Sequence, residues 1–287
     1  MNNYPLYSVL IANYNNSIFF DDLFSSLRNQ TYKNLEIIFV DDFSTDNSVE
    51  LAYKFQKLDS RIKIFQNEIN KGVAFTKDKC IKLSKGEYFG FVDPDDFLEP
   101  NAIFIMVNKH LENKNIGLIY SNFYLRDEIL SKKIKPNNYP KDLDCSKYLL
   151  YGFSPNHFAS FRRNLYENTI GIDLTLKRAI DRDLVLKYEE LSSVVHIDDY
   201  LYNYRINSNC VSNNQNSYKA EYWAWIVRFN ALKRRNLSCE DFYSEYRIYF
   251  DSKICDYSKT KDFKIGNIVL MPLRWVKKLF NNCNFFL

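Results

Sequence analysis

Five short apolar runs, each closed by polar residues and separated from the next by helical spacing, fix the fold class open to this chain. The runs are 8–12, 35–40, 61–65, 87–92 and 116–120. Polar and apolar residues hardly alternate within them, as expected of strands buried on both faces. Strand alternating with helix predicts an α/β domain with a mostly parallel sheet flanked by helices. Ile18, Phe19, Leu23 and Leu27 share one face of the first helical segment. Val49, Ala52, Tyr53 and Phe55 share one face of the second, with Asp46 or Asn47 as its cap. Further helices are expected over 73–83, after Gly72, and over 100–111. The polar stretch 125–143, with two prolines, reads as a loop. Beyond about Ser212 the pattern turns wholly helical, which divides the chain into a sheet domain, 1–212, and a helical C-terminal extension, 213–287.

Composition narrows the function classes. A net charge of +4 is too small for a nucleic-acid binder. Six cysteines are scattered without a C-x-x-C pair, so neither a disulfide framework nor a zinc site is expected, and a reducing cytoplasm fits. The first residues lack a basic segment followed by an apolar one, and no run of about 20 apolar residues exists, so neither a signal peptide nor a membrane span is expected. From Phe263 onward, Lys264, Arg274, Lys277 and Lys278 stand among apolar residues at helical spacing, with no acidic side chain. Such a helix (263–287) can rest on the inner face of the cytoplasmic membrane. Equally, it can dock on the sheet domain or on another copy of the chain.

Chemistry concentrates at two strand ends. Asp41-Asp42-Phe43-Ser44-Thr45-Asp46 follows the second run, and Asp93-Pro94-Asp95-Asp96 follows the fourth. In open α/β sheets, ligands bind in the crevice beyond the strand C-termini. Carboxylates crowded there repel one another unless a cation or hydrogen-bond donors compensate them. Oxygen ligands suit Mn2+ or Mg2+, which keep phosphate oxygens in their shell. The expectation is that both clusters converge on one cation carrying a nucleotide diphosphate.

Several segments in order resemble family 2 glycosyltransferases. These are Ser-Val-Leu-Ile-Ala-Asn-Tyr-Asn at 8–15, Val-Asp-Asp-Phe-Ser-Thr-Asp at 40–46, Asn-Lys-Gly-Val-Ala at 70–74, and Gly86-Glu87-Tyr88 followed by Phe91-Val92-Asp93-Pro94-Asp95-Asp96. Later, Asp181-Arg182-Asp183-Leu184 and Tyr202-Asn203-Tyr204-Arg205 resemble the family's acceptor-side signatures. The resemblance covers roughly residues 6–212. The chain departs from the family pattern with Ala12-Asn13 in place of Pro-Thr, Lys77-Asp78 in place of Arg-Asn, and Ile180 in place of the Glu before the base.

The resemblance implies a GT-A fold and inverting transfer of one sugar to a hydroxyl. The donor would be a nucleotide-diphosphate sugar, a UDP-hexose or UDP-N-acetylhexosamine, and the acceptor a glycan or lipid-linked molecule of a bacterial surface polysaccharide or lipooligosaccharide. Ala12 and Tyr14 then line the donor site, with Tyr14 stacking on the base and Asp41 or Asp42 accepting its imino N–H. Asp93 and Asp95 form the D-x-D metal motif, Asp95 being the usual direct ligand. Asp181 is the general base, with Asp183 as rival. Lys77 reaches the phosphates or solvent, with Asp78 as its surface partner. Arg205 contacts the diphosphate or pins its strand, and His157 lines the acceptor pocket. His196 reads as structural, and His110 as a cation at a helix end. The alternative is a catalytically silent nucleotide-sugar binder or assembly subunit.

Overall fold

The computed structural model describes residues 4–136, 157–206, 217–238 and 240. By packing, the chain falls into two compact units, Met1–Asn236 and Leu237–Leu287. The basic segment 263–287 lies outside the described residues. Among the described residues no helix is long and apolar enough to cross a membrane.

The first unit is built on one sheet. Its strands are β1 (Tyr7–Asn13), β2 (Leu35–Asp41), β3 (Ile62–Gln66), β4 (Tyr88–Phe91), β5 (Phe97–Leu98), β6 (Ile116–Asp127), β7 (Lys133–Ile134), β8 (Ala159–Arg162) and β9 (Ser193–Ile206). They lie in the order β3-β2-β1-β4-β8-β6-β9-β5, with β7 beside β6. The first four strands are parallel. Beyond β4 the sheet is mixed, because β8 runs antiparallel to both β4 and β6 while β6 and β9 are parallel. The segment expected as a loop from Leu125 begins as strand, since β6 continues to Asp127 against the aromatic β9.

The helices are α1 (Phe20–Arg28), α2 (Ser48–Leu58), α3 (Val73–Leu83), α4 (Ala102–Glu112), α5 (Arg163–Tyr166), α6 (Ile180–Glu189) and α7 (Ser217–Arg234). Every residue of β2 is buried, as its continuous apolar run requires. α1 buries Phe20, Leu23, Phe24 and Leu27, while Ile18 sits before it in a 3-10 turn, 78% exposed. Phe24 stacks on Phe55 at 4.7 Å and meets Phe39 at 5.9 Å, so rings lock α1 and α2 onto β2. Such pairs add about 0.5–1.5 kcal/mol each beyond area burial.

His110 departs from its expected role. It is fully buried, stacked on Tyr88 at 4.4 Å, with Nε2 3.1 Å from Ser160 Oγ. Burial, and then the Arg162 charge, push its pKa down to about 3, so it is neutral rather than a cation for the helix end. His196 is structural as read, its Nε2 2.9 Å from Asn122 Oδ1.

Candidate active site

The C-terminal ends of β1, β2 and β4 lie side by side, so both aspartate clusters reach one edge of the sheet. They do different work there. Asp41, completely buried, accepts from Asn13 Nδ2 at 2.8 Å, Ser44 Oγ at 2.6 Å and Ser44 N–H at 2.8 Å. Asp42 accepts from Asn67 Nδ2, Lys71 N–H and Gly72 N–H, each at 2.8 Å. Neutral donors therefore compensate both carboxylates, so neither depends on a cation shared with the second cluster. Asp46 does similar work, accepting from Ser17 N–H at 3.1 Å and Ser48 N–H at 3.0 Å.

Asp42 also sets the start of α3. Gly72 adopts φ 87 and ψ 162, a region essentially closed to residues with a side chain. Its N–H turns into Asp42, and its carbonyl accepts from Thr76 N–H at 3.1 Å to open the helix. That start fixes Lys77 one turn on.

Lys77 is the centre of the site. Only 5% of it is exposed, yet its ammonium finds charge on two sides: Asp181 Oδ1 at 2.7 Å and Asp93 Oδ1 at 3.8 Å. The Phe91 ring lies beneath, 4.8 Å from Nζ. Burial alone would lower the Lys77 pKa, but Asp181 and Asp93 outweigh it and hold it above the usual lysine value. Asp78, the partner expected from sequence, pairs with Lys82 at 2.7 Å instead. The reason is helical direction: residues four apart share a face, and neighbours do not.

Asp181 opens α6. Ala179, in the left-handed region at φ 58, turns the chain into that helix. The Asp181 side chain is 47% exposed. Desolvation raises its pKa, while the Lys77 charge, the His157 charge and the Lys77 hydrogen bond together lower it below the usual carboxylate value. Asp183, the rival, is buried and spent on Lys187 and on Arg234 at 3.4 Å. It ties α6 to α7 and faces no opening.

His157 stacks on Tyr202 at 4.7 Å, and its Nε2 lies 3.6 Å from Asp93 Oδ2. It thus joins the 93–96 turn to the Asp181 side of the site. Asp93 is shared between Lys77 and His157, and its side chain is 34% exposed.

Arg205 takes the second of its two expected roles. It is 4% exposed and donates to Asp95 O at 2.8 Å, Glu128 O at 2.9 Å and Asp22 Oδ2 at 2.7 Å. Its own N–H donates to Asp96 Oδ1 at 2.7 Å, and the Tyr202 hydroxyl donates to Asp96 Oδ2 at 2.8 Å. The guanidinium pins β9 to the 93–96 turn. Burial first, then the charges of Asp95 and Asp93, push the Asp96 carboxyl well above its ordinary pKa. Asp96 is thereby a buttress.

Burial is the first cause of that shift; the carboxylates of Asp93 and Asp95 beside it make the turn acidic, which suits a hard cation. Among the described residues no group of three or more His, Cys, Asp or Glu side chains could hold a metal. Mg2+ and Mn2+ need only one or two carboxylates where phosphate oxygens complete the shell. Asp93 and Asp95, partly exposed on that turn, are the carboxylates that would suit such a role, whereas Asp96 is buried and hydrogen-bonded.

Ala12 is the half-buried penultimate residue of β1, in register with Val40. Tyr14 follows the strand with its ring 46% exposed. The sequence reading passed over Phe43, which stands 47% exposed on the neighbouring tip at φ 65. The signal was a bulky residue inside a turn otherwise made of small polar ones. The Lys77–Asp181 pair left no such mark, because 104 residues separate its members.

Comparison with known proteins bears on the family and the fold. The family model described as Glycosyl transferase family 2 matches residues 8–170. The chain is 26% identical over 275 residues to a chondroitin synthase of Pasteurella multocida, covering 96% of this chain and 28% of that protein. It is 32% identical over 168 residues to a GalNAc(5)-diNAcBac-PP-undecaprenol beta-1,3-glucosyltransferase of Campylobacter jejuni, covering 57% of this chain and 54% of that one. Thus the chain spans under a third of the synthase and about half of the glucosyltransferase. Among solved structures, S. aureus TarS in complex with UDP-GlcNAc superposes with a TM-score of 0.64 at 19% identity, over 90% of this chain and 75% of that chain. A mannosyltransferase from Pyrobaculum calidifontis in complex with GDP-Man and Mn2+ gives a TM-score of 0.59 at 14% identity, over 92% and 83%. The sheet and its helices therefore form the GT-A fold.

Proposed function

Because the chain belongs to glycosyl transferase family 2, we propose that it moves one sugar, with inversion, from a UDP-hexose or UDP-N-acetylhexosamine to a hydroxyl of a glycan or lipid-linked acceptor during bacterial surface-glycan synthesis. The observation that carries this reading is the convergence of Asp181, Lys77, Asp93 and His157 at the sheet's C-terminal edge. The UDP-GlcNAc complex of the S. aureus structural neighbour supports a UDP donor. Work at the inner face of the cytoplasmic membrane fits a lipid-linked acceptor.

Asp181 takes the proton of the acceptor hydroxyl as that oxygen attacks the anomeric carbon, whose bond to the diphosphate oxygen breaks on the opposite face. Asp181 is ionised near neutrality, and the Lys77 charge that holds its pKa below the usual carboxylate value also fixes its position. Lys77, held between Asp181 and Asp93, places a fixed positive charge where the leaving diphosphate gathers negative charge. Tyr14 offers a face to the nucleobase. His157 forms the wall between donor and acceptor. Asp93 and Asp95 would hold Mn2+ or Mg2+, which would supply further stabilisation of the departing diphosphate.

The test is sugar transfer by the full chain from a panel of UDP-sugars to oligosaccharide and polyprenyl-linked acceptors, with Mn2+ and with EDTA. Metal-dependent transfer that inverts the anomeric centre supports the proposal. Donor binding with no turnover on any acceptor would instead favour a silent nucleotide-sugar binder.

A further inference from the structure

Phe43 combines two unfavourable features. Its φ of 65 lies in the left-handed region, where a bulky side chain crowds its own backbone. The residue is 47% exposed, and no ring or cation contact involves it among the described residues. Glycine or asparagine would hold the same turn without either drawback. A strained, exposed residue at a site points to use by a ligand.

The turn around it is rigid. Asp42 N–H donates to Asn13 O at 2.8 Å, and Asn15 N–H donates to Ser44 Oγ at 2.9 Å. Thr45 N–H donates to Asn15 Oδ1 at 2.8 Å, and Ser44 N–H donates to Asp41 Oδ2 at 2.8 Å. The residues flanking Phe43 are therefore stitched to the residues flanking Tyr14. Two half-exposed rings stand on adjoining tips, with little freedom to fold away.

We propose that Phe43 is a second nucleobase contact, so that the base of a nucleoside diphosphate packs on an aromatic corner formed by Phe43 and Tyr14. This deepens the donor reading above and rests on it. Water on a hydrophobic ring is displaced when the base arrives. Stacking tolerates any base, since every base has a π-face, so Phe43 adds affinity while the choice among bases falls to hydrogen bonds.

The test is titration calorimetry on the full chain with UDP, GDP and inorganic pyrophosphate, each with Mn2+, comparing wild type with Phe43→Gly and Phe43→Asn. Loss of one stacking face is expected to weaken UDP and GDP about tenfold. Pyrophosphate, which has no base, is expected to bind unchanged. Both variants relieve the left-handed strain, so Tm is expected to rise by roughly 2–4 °C. Wild-type affinity for UDP in both variants overturns the proposal, as does an equal loss for pyrophosphate. A fall in Tm in both variants overturns the strain argument on which it stands. A wild-type chain that binds neither nucleotide overturns the donor reading itself, whatever the variants do.

Discussion

Replacing Lys77 with methionine keeps the volume of the side chain and removes the one cation that Asp93 and Asp181 share on α3. The ammonium sits 2.7 Å from Asp181 and 3.8 Å from Asp93, with only 5% of the residue exposed. Orphaning one member of a fully buried pair costs about 3–5 kcal/mol. Here the carboxylates are 47% and 34% exposed, so water takes over much of the lost attraction. The stability loss should fall to about 1–2 kcal/mol by urea denaturation. Catalysis should suffer more. Removing a fixed charge aimed at a leaving group costs about 2.7–4 kcal/mol, a loss of roughly 100–1,000-fold in kcat. The pH dependence gives an independent reading. Lys77 lowers the Asp181 pKa, so the pair stabilises the fold above the unfolded carboxylate value and that stability is lost as pH falls below roughly 4. Without Lys77 the carboxyl titrates higher, and the acid limb of the kcat/KM profile should move up in pH. Transfer within threefold of wild type together with an unmoved acid limb would refute the assignment of Lys77 to the reaction.

Asp181→Asn should bind UDP as wild type does, measured by calorimetry, while transfer drops by about 100-fold or more. Asp95→Ala should abolish the Mn2+-dependent thermal shift with UDP, whereas an unchanged shift would move the metal elsewhere. Gly72→Ala should cost about 1–3 kcal/mol by urea denaturation, because φ 87 with ψ 162 strains any side chain even though open space surrounds the added methyl.

The parallel half of the fold was legible because buried parallel strands announce themselves as unbroken apolar runs, and β1, β2 and β4 fell within a residue or two of expectation. The two aspartate clusters were likewise visible in position. Their roles were not, since one-dimensional spacing does not distinguish a carboxylate that receives Lys71 and Gly72 N–H groups from one that awaits a ligand. Lys77 stayed open between the phosphates and solvent for a similar reason: its partner Asp181 comes from a helix that the chain reaches about a hundred residues later. Arg205 stayed ambiguous until Asp22, Asp95 and Glu128 were seen to fill its donors. The strand extension beyond Leu125 was hidden because a polar composition can still pair when an aromatic neighbour such as β9 covers it.

The clasp between Arg205 and Asp22 joins residues 183 positions apart. A ribosome making this chain has released all four parallel strands long before β9 emerges. Until then Asp96 lacks the hydroxyl of Tyr202 and the amide of Arg205, and the turn bearing Asp93 and Asp95 has no brace. The 93–96 turn is thus left unset in the nascent polypeptide, and truncation upstream of Tyr202 should yield a sheet fragment in which that turn has no brace. Long-range closure of this kind also slows folding relative to helical proteins of similar size.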